Sequence, residues 1–384
     1  MILIVSAGEY TRVYENRQAV VLFHVRYYNS YHILPTTYYL LFMPTPTELF
    51  NYHLPSDLIA QSPIEPRDSC RLLILDKVSG SIEHKKFFEI VNYLKKGDLL
   101  VRNSTKVFKA RLRGNVNGKH VEILLTRSLG KYKWEAIGKP GHRLQIGSDI
   151  LFNGASTRVE DVKNGIYFLT FDRGAREVLE LCEKYGEVPL PPYIKLANTI
   201  SLDEYQTIYA KQVGSIAAPT AGFHFTNELI EKLNKLGVEI VDITLHVGIG
   251  TFKPIKTPTL EEHAMHSEFV EIGADSAAII NKAKREKRRI IAVGTTSVRA
   301  LEGVASLNPD GAITEYAGDI DIFITPNYNF KIIDGLITNF HLPKTTLLAL
   351  VCAIAGRENV IRAYNEAIDN KYRFYSFGDA MLII

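Results

Sequence analysis

Cysteine is scarce in this chain of 384 residues: Cys70, Cys182 and Cys352 stand singly, with no Cys-x-x-Cys pair. That argues against a disulfide framework, a cysteine zinc site or an iron–sulfur cluster, and makes a reducing cytoplasm the expected compartment. Long apolar runs are missing too. None approaches the roughly 18 residues that span a bilayer, so an integral membrane protein is not expected. Neither sign of charge dominates, with 45 Lys+Arg against 42 Asp+Glu and a formal net charge of +3. Such a balance tolerates a polyanionic partner without requiring one. No Gly-x-Ser-x-Gly, no Gly-Lys-Ser/Thr phosphate loop and no paired-glycine dinucleotide fingerprint occurs, which counts against serine hydrolysis, ATP hydrolysis and hydride transfer; Gly248-Ile-Gly250 alone is a weak signal.

What is present is ordinary globular material, 46% hydrophobic and 23% charged, long enough for two or three domains. The first 42 residues differ from the rest, holding seven of the 20 tyrosines and few acids, without the order of a secretory signal. Met43-Pro44 reads like a natural beginning, so residues 1–42 are expected to be an extension outside the core fold.

Between residues 99 and 172, about seven short β runs alternate with turns, three of them at Asn117-Gly118, Asn153-Gly154 and Asn164-Gly165. Asn-Gly favours tight hairpins, and this spacing predicts an inserted antiparallel β-barrel. Helices are expected at Pro55–Ala60, Phe87–Lys95 and Ala175–Lys184. From about residue 205 strands alternate with helices, among them the strand Val238–Leu245 and the helices Ser297–Val304 and Leu347–Ala355. The fold class is therefore α/β: residues 43–98 and 173–384 form a catalytic domain around a mainly parallel sheet, and residues 99–172 the inserted barrel.

Chemistry-bearing groups gather in loops. Pro219-Thr-Ala-Gly-Phe-His-Phe-Thr226, Val293-Gly-Thr-Thr-Ser297 and Phe340-His-Leu-Pro-Lys-Thr-Thr346 each lead from an apolar run into a helix, and His246-Val-Gly-Ile-Gly-Thr-Phe252 follows a strand. Ligands in α/β sheets bind beyond the carboxyl ends of strands, where helix N-termini offer free N–H groups to carboxylate or phosphate. Taken singly, Thr226, Thr296 and Thr346 read as N-caps; as a set, their loops read as a site. His224, His246, His263, His266 and His341 fall in such polar segments, with His142 less convincing. Imidazole titrates near neutrality, so acid/base work is the better-motivated role, with Glu268 as a carboxylate partner. His263-Ala-Met-His266 lacks the spacing of a helical zinc pair, and no metal is expected. Basic residues cluster at 282–289 and at Lys106, Lys109, Arg111 and Arg113. Only if both patches share a face with the crevice would they make a phosphate track.

Several of these segments resemble one known family, the S-adenosylmethionine:tRNA ribosyltransferase-isomerases. Tyr52-His-Leu-Pro-Ser-Asp-Leu-Ile-Ala-Gln61, Val213–Phe225, His246–Phe252, Met265-His-Ser-Glu268, Gly294–Arg299, Ile337–Pro343 and Tyr372–Met381 follow the family's order and spacing from about Leu49 to the last residue. Departures are small: Phe223 replaces a usual leucine, Thr345 a common serine, and Thr325 and Asn327 a frequent aromatic and glycine. The resemblance implies transfer and isomerisation of the ribosyl part of S-adenosylmethionine onto 7-aminomethyl-7-deazaguanine, at the wobble position of tRNAs with GUN anticodons. The products are epoxyqueuosine, adenine and methionine. It implies S-adenosylmethionine as co-substrate, no metal, and a monomer. Proton transfer is expected of His224, His246, His266, His341, Glu268 and Asp379. Contacts to S-adenosylmethionine are expected of Pro219, Thr220, Gly222, Gly248, Gly250, Phe252, Thr295, Thr296, Arg299, Asn339 and Phe340. Within these, Phe252 or Phe340 would face the sulfonium and Arg299 grip the methionine carboxylate. Phosphates are expected on Lys106, Lys109, Arg111, Arg113, Lys284 and Arg285. A non-catalytic RNA-binding protein, a metal-dependent hydrolase and an ordinary methyltransferase are the competing classes. Adenine release, metal content and the nucleoside formed discriminate among them.

Overall fold

Short apolar runs bounded by turn residues become strands along the whole chain. The computed structural model describes residues 44–191, 193–194, 200–248 and 254–384, and the backbone of five upstream strands. These are Thr11–Glu15 (β1), Gln18–Val25 (β2), Tyr28–Asn29 (β3), His32–Ile33 (β4) and Thr37–Phe42 (β5); β2 pairs antiparallel with β1 and β5, and β3 with β4. Next come Arg71–Leu75 (β6), Ile82–Lys86 (β7), Leu99–Asn103 (β8) and Thr105–Val107 (β9). Six strands follow: Arg111–Val116 (β10), Lys119–Ser128 (β11), Lys133–Lys139 (β12), Asp149–Phe152 (β13), Ala155–Lys163 (β14) and Ile166–Phe171 (β15). The remainder alternates: Ala175–Tyr185 (α1), Gln212–Ser215 (β16), Asn227–Leu236 (α2), Glu239–His246 (β17), Glu268–Ile272 (β18), Ala274–Arg285 (α3), Ile290–Val293 (β19), Thr295–Leu307 (α4), Tyr316–Ile320 (β20), Gly335–Asn339 (β21), Thr346–Ala355 (α5), Arg357–Asp369 (α6) and Ala380–Ile383 (β22).

β10 to β15 close into an antiparallel barrel. Asn117 and Asn164 adopt φ of 50° and 51° at two of its Asn-Gly turns, the left-handed geometry that matches strand twist. Inward residues alternate along β11, with Val121, Ile123 and Leu125 buried, and Trp134 packs 6.1 Å from Phe108. Leu99–Asn103, expected in the barrel, lies instead at the centre of the large sheet, and the barrel begins at Arg111. A short apolar strand buried on both faces carries no period that tells one sheet from another.

The large sheet has nine strands in the order β20-β18-β17-β8-β19-β21-β22-β6-β7. Pairing is parallel through its centre, from β17 through β8 and β19 to β21, and again between β22 and β6. The other pairs are antiparallel, so a mixed sheet forms the α/β domain. Alternate residues feed two cores. Leu73, Val101, Ala292 and Leu336 pack under α3 to α6, while Leu72, Leu100, Ile291 and Ile337 pack against α2 and the short 3-10 turn Phe87–Asn92. That turn replaces the α-helix expected over Phe87–Lys95, and another, Ser56–Leu58, replaces the one at Pro55–Ala60. α5 is apolar almost all round because it is buried all round; each large side chain there contributes about 1.5–3 kcal/mol. Among the described residues no helix is long and apolar enough to cross a membrane.

Candidate active site

The carboxyl ends of β17, β19 and β21 converge on one cleft with an empty space of about 470 Å³, solvent mouth included. Its wall comes from the turn Ala218–Ala221, from Val247, from Gly294–Thr296 at the start of α4, from Thr338, Asn339 and His341 after β21, and from Leu347, Tyr375 and Ser376. Three of the four loops singled out by their residue content thus meet there, with Val247 of the fourth. Among the described residues no lysine, arginine, aspartate or glutamate lines it.

β21 divides its last two side chains between the faces of the sheet, as the pleat requires. Thr338 points to one side and meets His341, Oγ1 to Nε2 at 2.8 Å. Asn339 points to the other. Its Nδ2 donates to His224 Nε2 and to the Tyr375 carbonyl, both at 3.1 Å, and its Oδ1 accepts from Thr220 Oγ1 at 3.0 Å. Because Nδ2 is a donor, His224 Nε2 is an acceptor, and the ring proton sits on Nδ1, 3.1 Å from Cys70 Sγ. His224 therefore has both nitrogens engaged and lies behind the cleft wall, where it fixes the Asn339 amide. Burial lowers its pKa to about 3, helped by Arg67 and Arg373. Burial also lowers His341 to about 3, yet His341 lines the cleft and has a ring nitrogen unbonded among the described residues. Both imidazoles are neutral at pH 7.

His246 ends β17 beside the cleft. Its Nδ1 lies 2.7 Å from Thr105 Oγ1, its ring stacks on Phe269, and burial lowers its pKa to about 4. Gly214 is needed there, because a Cβ would lie 2.6 Å from His246 Nε2. Glu268, buried at the start of β18, accepts from the Gly248 N–H at 3.0 Å and pairs with the buried Arg299, whose Nε donates to the Ile322 carbonyl. Neither Glu268 nor Arg299 lines the cleft.

Other expected site residues have different places. Asp379 accepts from the backbone N–H groups of Arg71 at 2.8 Å and Arg373 at 2.7 Å and from Arg71 Nε, so it ties the C-terminal segment to β6 away from the cleft. Phe340 is fully buried in a cluster with Tyr364, Tyr372 and Phe374 and does not line the cleft. Gly222 packs under Tyr209, whose hydroxyl would lie 2.0 Å from a Cβ. His266 is exposed on an irregular segment outside the cleft wall. Gly250 and Phe252 lie outside the described residues. No group of three His, Cys, Asp or Glu side chains is placed to hold a metal among the described residues.

The basic residues do not form one track. Lys109 pairs with Glu183, Arg111 with Glu122 and Arg113 with Glu187. Lys284 and Arg285 end α3, which leads to the start of β19, so they sit at the opposite end of the sheet from the cleft. Arg288 and Arg289 confirm that placement by pairing with Glu239, the first residue of β17, and Asp98, just before β8. Lys106 alone is exposed on the cleft side, on β9 beside β16.

The sequence reading placed Tyr375 and Ser376 within the segment Tyr372–Met381 but gave neither a site role. Tyr375 holds φ at 74°, a left-handed conformation in which its carbonyl meets Asn339, and no residue pattern announces that.

A family model described as queuosine biosynthesis protein matches residues 47–383. The crystal structure of S-adenosylmethionine tRNA ribosyltransferase from Thermotoga maritima is similar at 36% identity and a TM-score of 0.51, over 88% of this chain and all of that one. With residues 47–383 matched from the turn before β6 to the last strand, the chain belongs to the queuosine biosynthesis protein family.

Proposed function

We propose that this protein transfers the ribosyl portion of S-adenosylmethionine to 7-aminomethyl-7-deazaguanine at the wobble position of tRNAs with GUN anticodons. It isomerises that group to the epoxycyclopentanediol of epoxyqueuosine, with release of adenine and methionine. Family membership and the similarity to a ribosyltransferase support the reading, together with one observation of the site: a neutral imidazole faces a cleft that carries no charged side chain among the described residues.

The reaction makes three proton demands. The sulfonium acidifies the adjacent ribose CH₂, whose proton needs an acceptor; departing adenine needs a donor; the attacking aminomethyl nitrogen must lose its extra proton. His341 is the acceptor best placed on the cleft wall. In the tautomer whose Nε2–H donates to Thr338, its other nitrogen carries the lone pair that accepts the proton. Desolvation strengthens each such interaction by lowering the local dielectric. Asn339, locked by His224 and Thr220, offers a preorganised amide at the same wall. The target base leaves the anticodon stack to enter, as enzymes acting on bases require.

The test is incubation with S-adenosylmethionine and precursor tRNA, followed by mass spectrometry of the digested nucleosides and assay of free adenine. Epoxyqueuosine with equimolar adenine is the expected result. A methylated nucleoside, or turnover without adenine, would overturn it.

A further inference from the structure

α4 begins differently from the other helices that follow the threonine-bearing loops. Thr226 caps α2 and Thr345 caps α5 with their own hydroxyls, accepting from Leu229 and Leu348. α4 has Gly294 at its N-cap and no side-chain cap, so the N–H groups of Thr295 and Thr296 have no acceptor among the described residues. The Thr296 hydroxyl also lacks a partner, although the residue is more than nine-tenths buried and lines the cleft. Gly294 holds φ at 88°, and a Cβ there would stand 3.4 Å from Thr296 Oγ1 and 4.0 Å from its N, within the space those donors share. Three donors at the positive end of a helix thus border a hollow with no charged side chain among the described residues, and a buried donor without an acceptor is a cost the fold retains.

Resting on the reading above, we infer that the first turn of α4 binds the carboxylate of the amino-acid portion of S-adenosylmethionine. Arg299, the residue expected to hold that group, has Nη1 engaged by Glu268 and Nε by the Ile322 carbonyl; its Nη2 has no partner among the described residues, but the side chain is absent from the cleft wall. A helix N-terminus suits this substrate better than a guanidinium would. It supplies hydrogen bonds and partial positive charge without placing a full cation beside the sulfonium.

Equilibrium binding of S-adenosylmethionine and of its decarboxylated analogue to the full chain tests the assignment without turnover. The wild type binds the carboxylate-bearing ligand at least tenfold more tightly. Thr296→Val removes one hydroxyl at nearly constant volume, and weakens S-adenosylmethionine by about tenfold while leaving the decarboxylated analogue within twofold, the size of one hydrogen bond to a charged group. Thr296→Ser restores the affinity, which separates a lost donor from a damaged fold. Equal affinity for both ligands in the wild type, or equal weakening of both by Thr296→Val, overturns the inference while the ribosyl transfer stands. If Thr296→Val spares S-adenosylmethionine but weakens tRNA, the anion held is an RNA phosphate and the inference fails. A chain that binds neither nucleoside fails the proposed function itself.

Discussion

The two ends of the large sheet are built from opposite materials. Where β8, β17 and β19 start, charges are paired: Arg289 with Asp98, Nε to Oδ1 at 2.9 Å, and Arg288 with Glu239 at 2.6 Å. Where the same strands finish, the described residues of the wall offer hydroxyls, an amide, an imidazole and uncapped backbone N–H groups, with no full charge. The guanidinium of Arg289 and the Glu239 carboxylate keep some contact with water, whereas Asp98 is buried and depends on its partners. In the cleft a fixed charge would have to be desolvated or would compete with the substrate's own, so neutral dipoles serve better. We propose that the strand starts serve mainly stability and the cleft wall mainly reactivity, a division open to attack by experiment.

Acid attacks the cleft end first. Burial lowers His224 and His341 to about 3 and His246 to about 4. The unfolded chain takes up these protons from about pH 6.5 downward, whereas the native protein refuses them until about 3–4. The free energy of unfolding therefore falls as pH falls through that window, by about 1.4 kcal/mol per unit for each fully buried histidine. Denaturant melts at pH 7 and pH 5 should differ by several kcal/mol. Coincident curves would show that these rings protonate in the native state.

His341→Gln separates chemistry from folding. Glutamine keeps a polar side chain beside Thr338 but cannot carry a proton, so turnover should fall more than about a hundredfold with a nearly unchanged melting midpoint. Near-normal turnover would move the base to His246.

Asp98→Ala makes the converse experiment. Asp98 is 1% exposed and accepts from Arg289 and from the Lys95 N–H at 2.8 Å. Its loss strands a partly buried guanidinium and should cost about 3 kcal/mol in denaturant unfolding, with kcat unchanged. A fall in kcat at constant stability would erase the division between the two ends.

The sequence carried much of this arrangement, for reasons particular residues make plain. Asn117-Gly118 and Asn164-Gly165 announce barrel hairpins because few dipeptides accept their backbone angles. The loops at 219–226 and 293–297 stand out by composition, and both reach the cleft. Residue type does not reveal which hydrogen bonds a histidine makes. His224 and His341 look alike in the chain, yet only His341 faces the hollow. Asp379 and Phe340 were legible as motif members but not as the tie and the core ring they are, since burial is a long-range outcome. Leu99–Asn103 shows the same limit for strands.

The basic residues give the smallest effect and the sharpest contrast, because they lie at both ends. Lys106 is exposed on β9, which pairs with β16 just before the cleft turn at Ala218. Lys284 and Arg285 are also exposed, but at the tip of α3 beside the strand starts, where Lys284 Nζ donates to the Lys331 carbonyl. An RNA drawn to the cleft would lay its phosphates on the first and bypass the others. Lys106→Ala should weaken tRNA binding by about threefold at moderate salt and reduce the slope of log affinity against log salt by about 1, as one lost phosphate contact does. Lys284→Ala with Arg285→Ala should leave affinity within about twofold and the slope unchanged. The reverse outcome would carry the RNA around to the charged end, leaving the neutral cleft as a nucleoside pocket without its polymer.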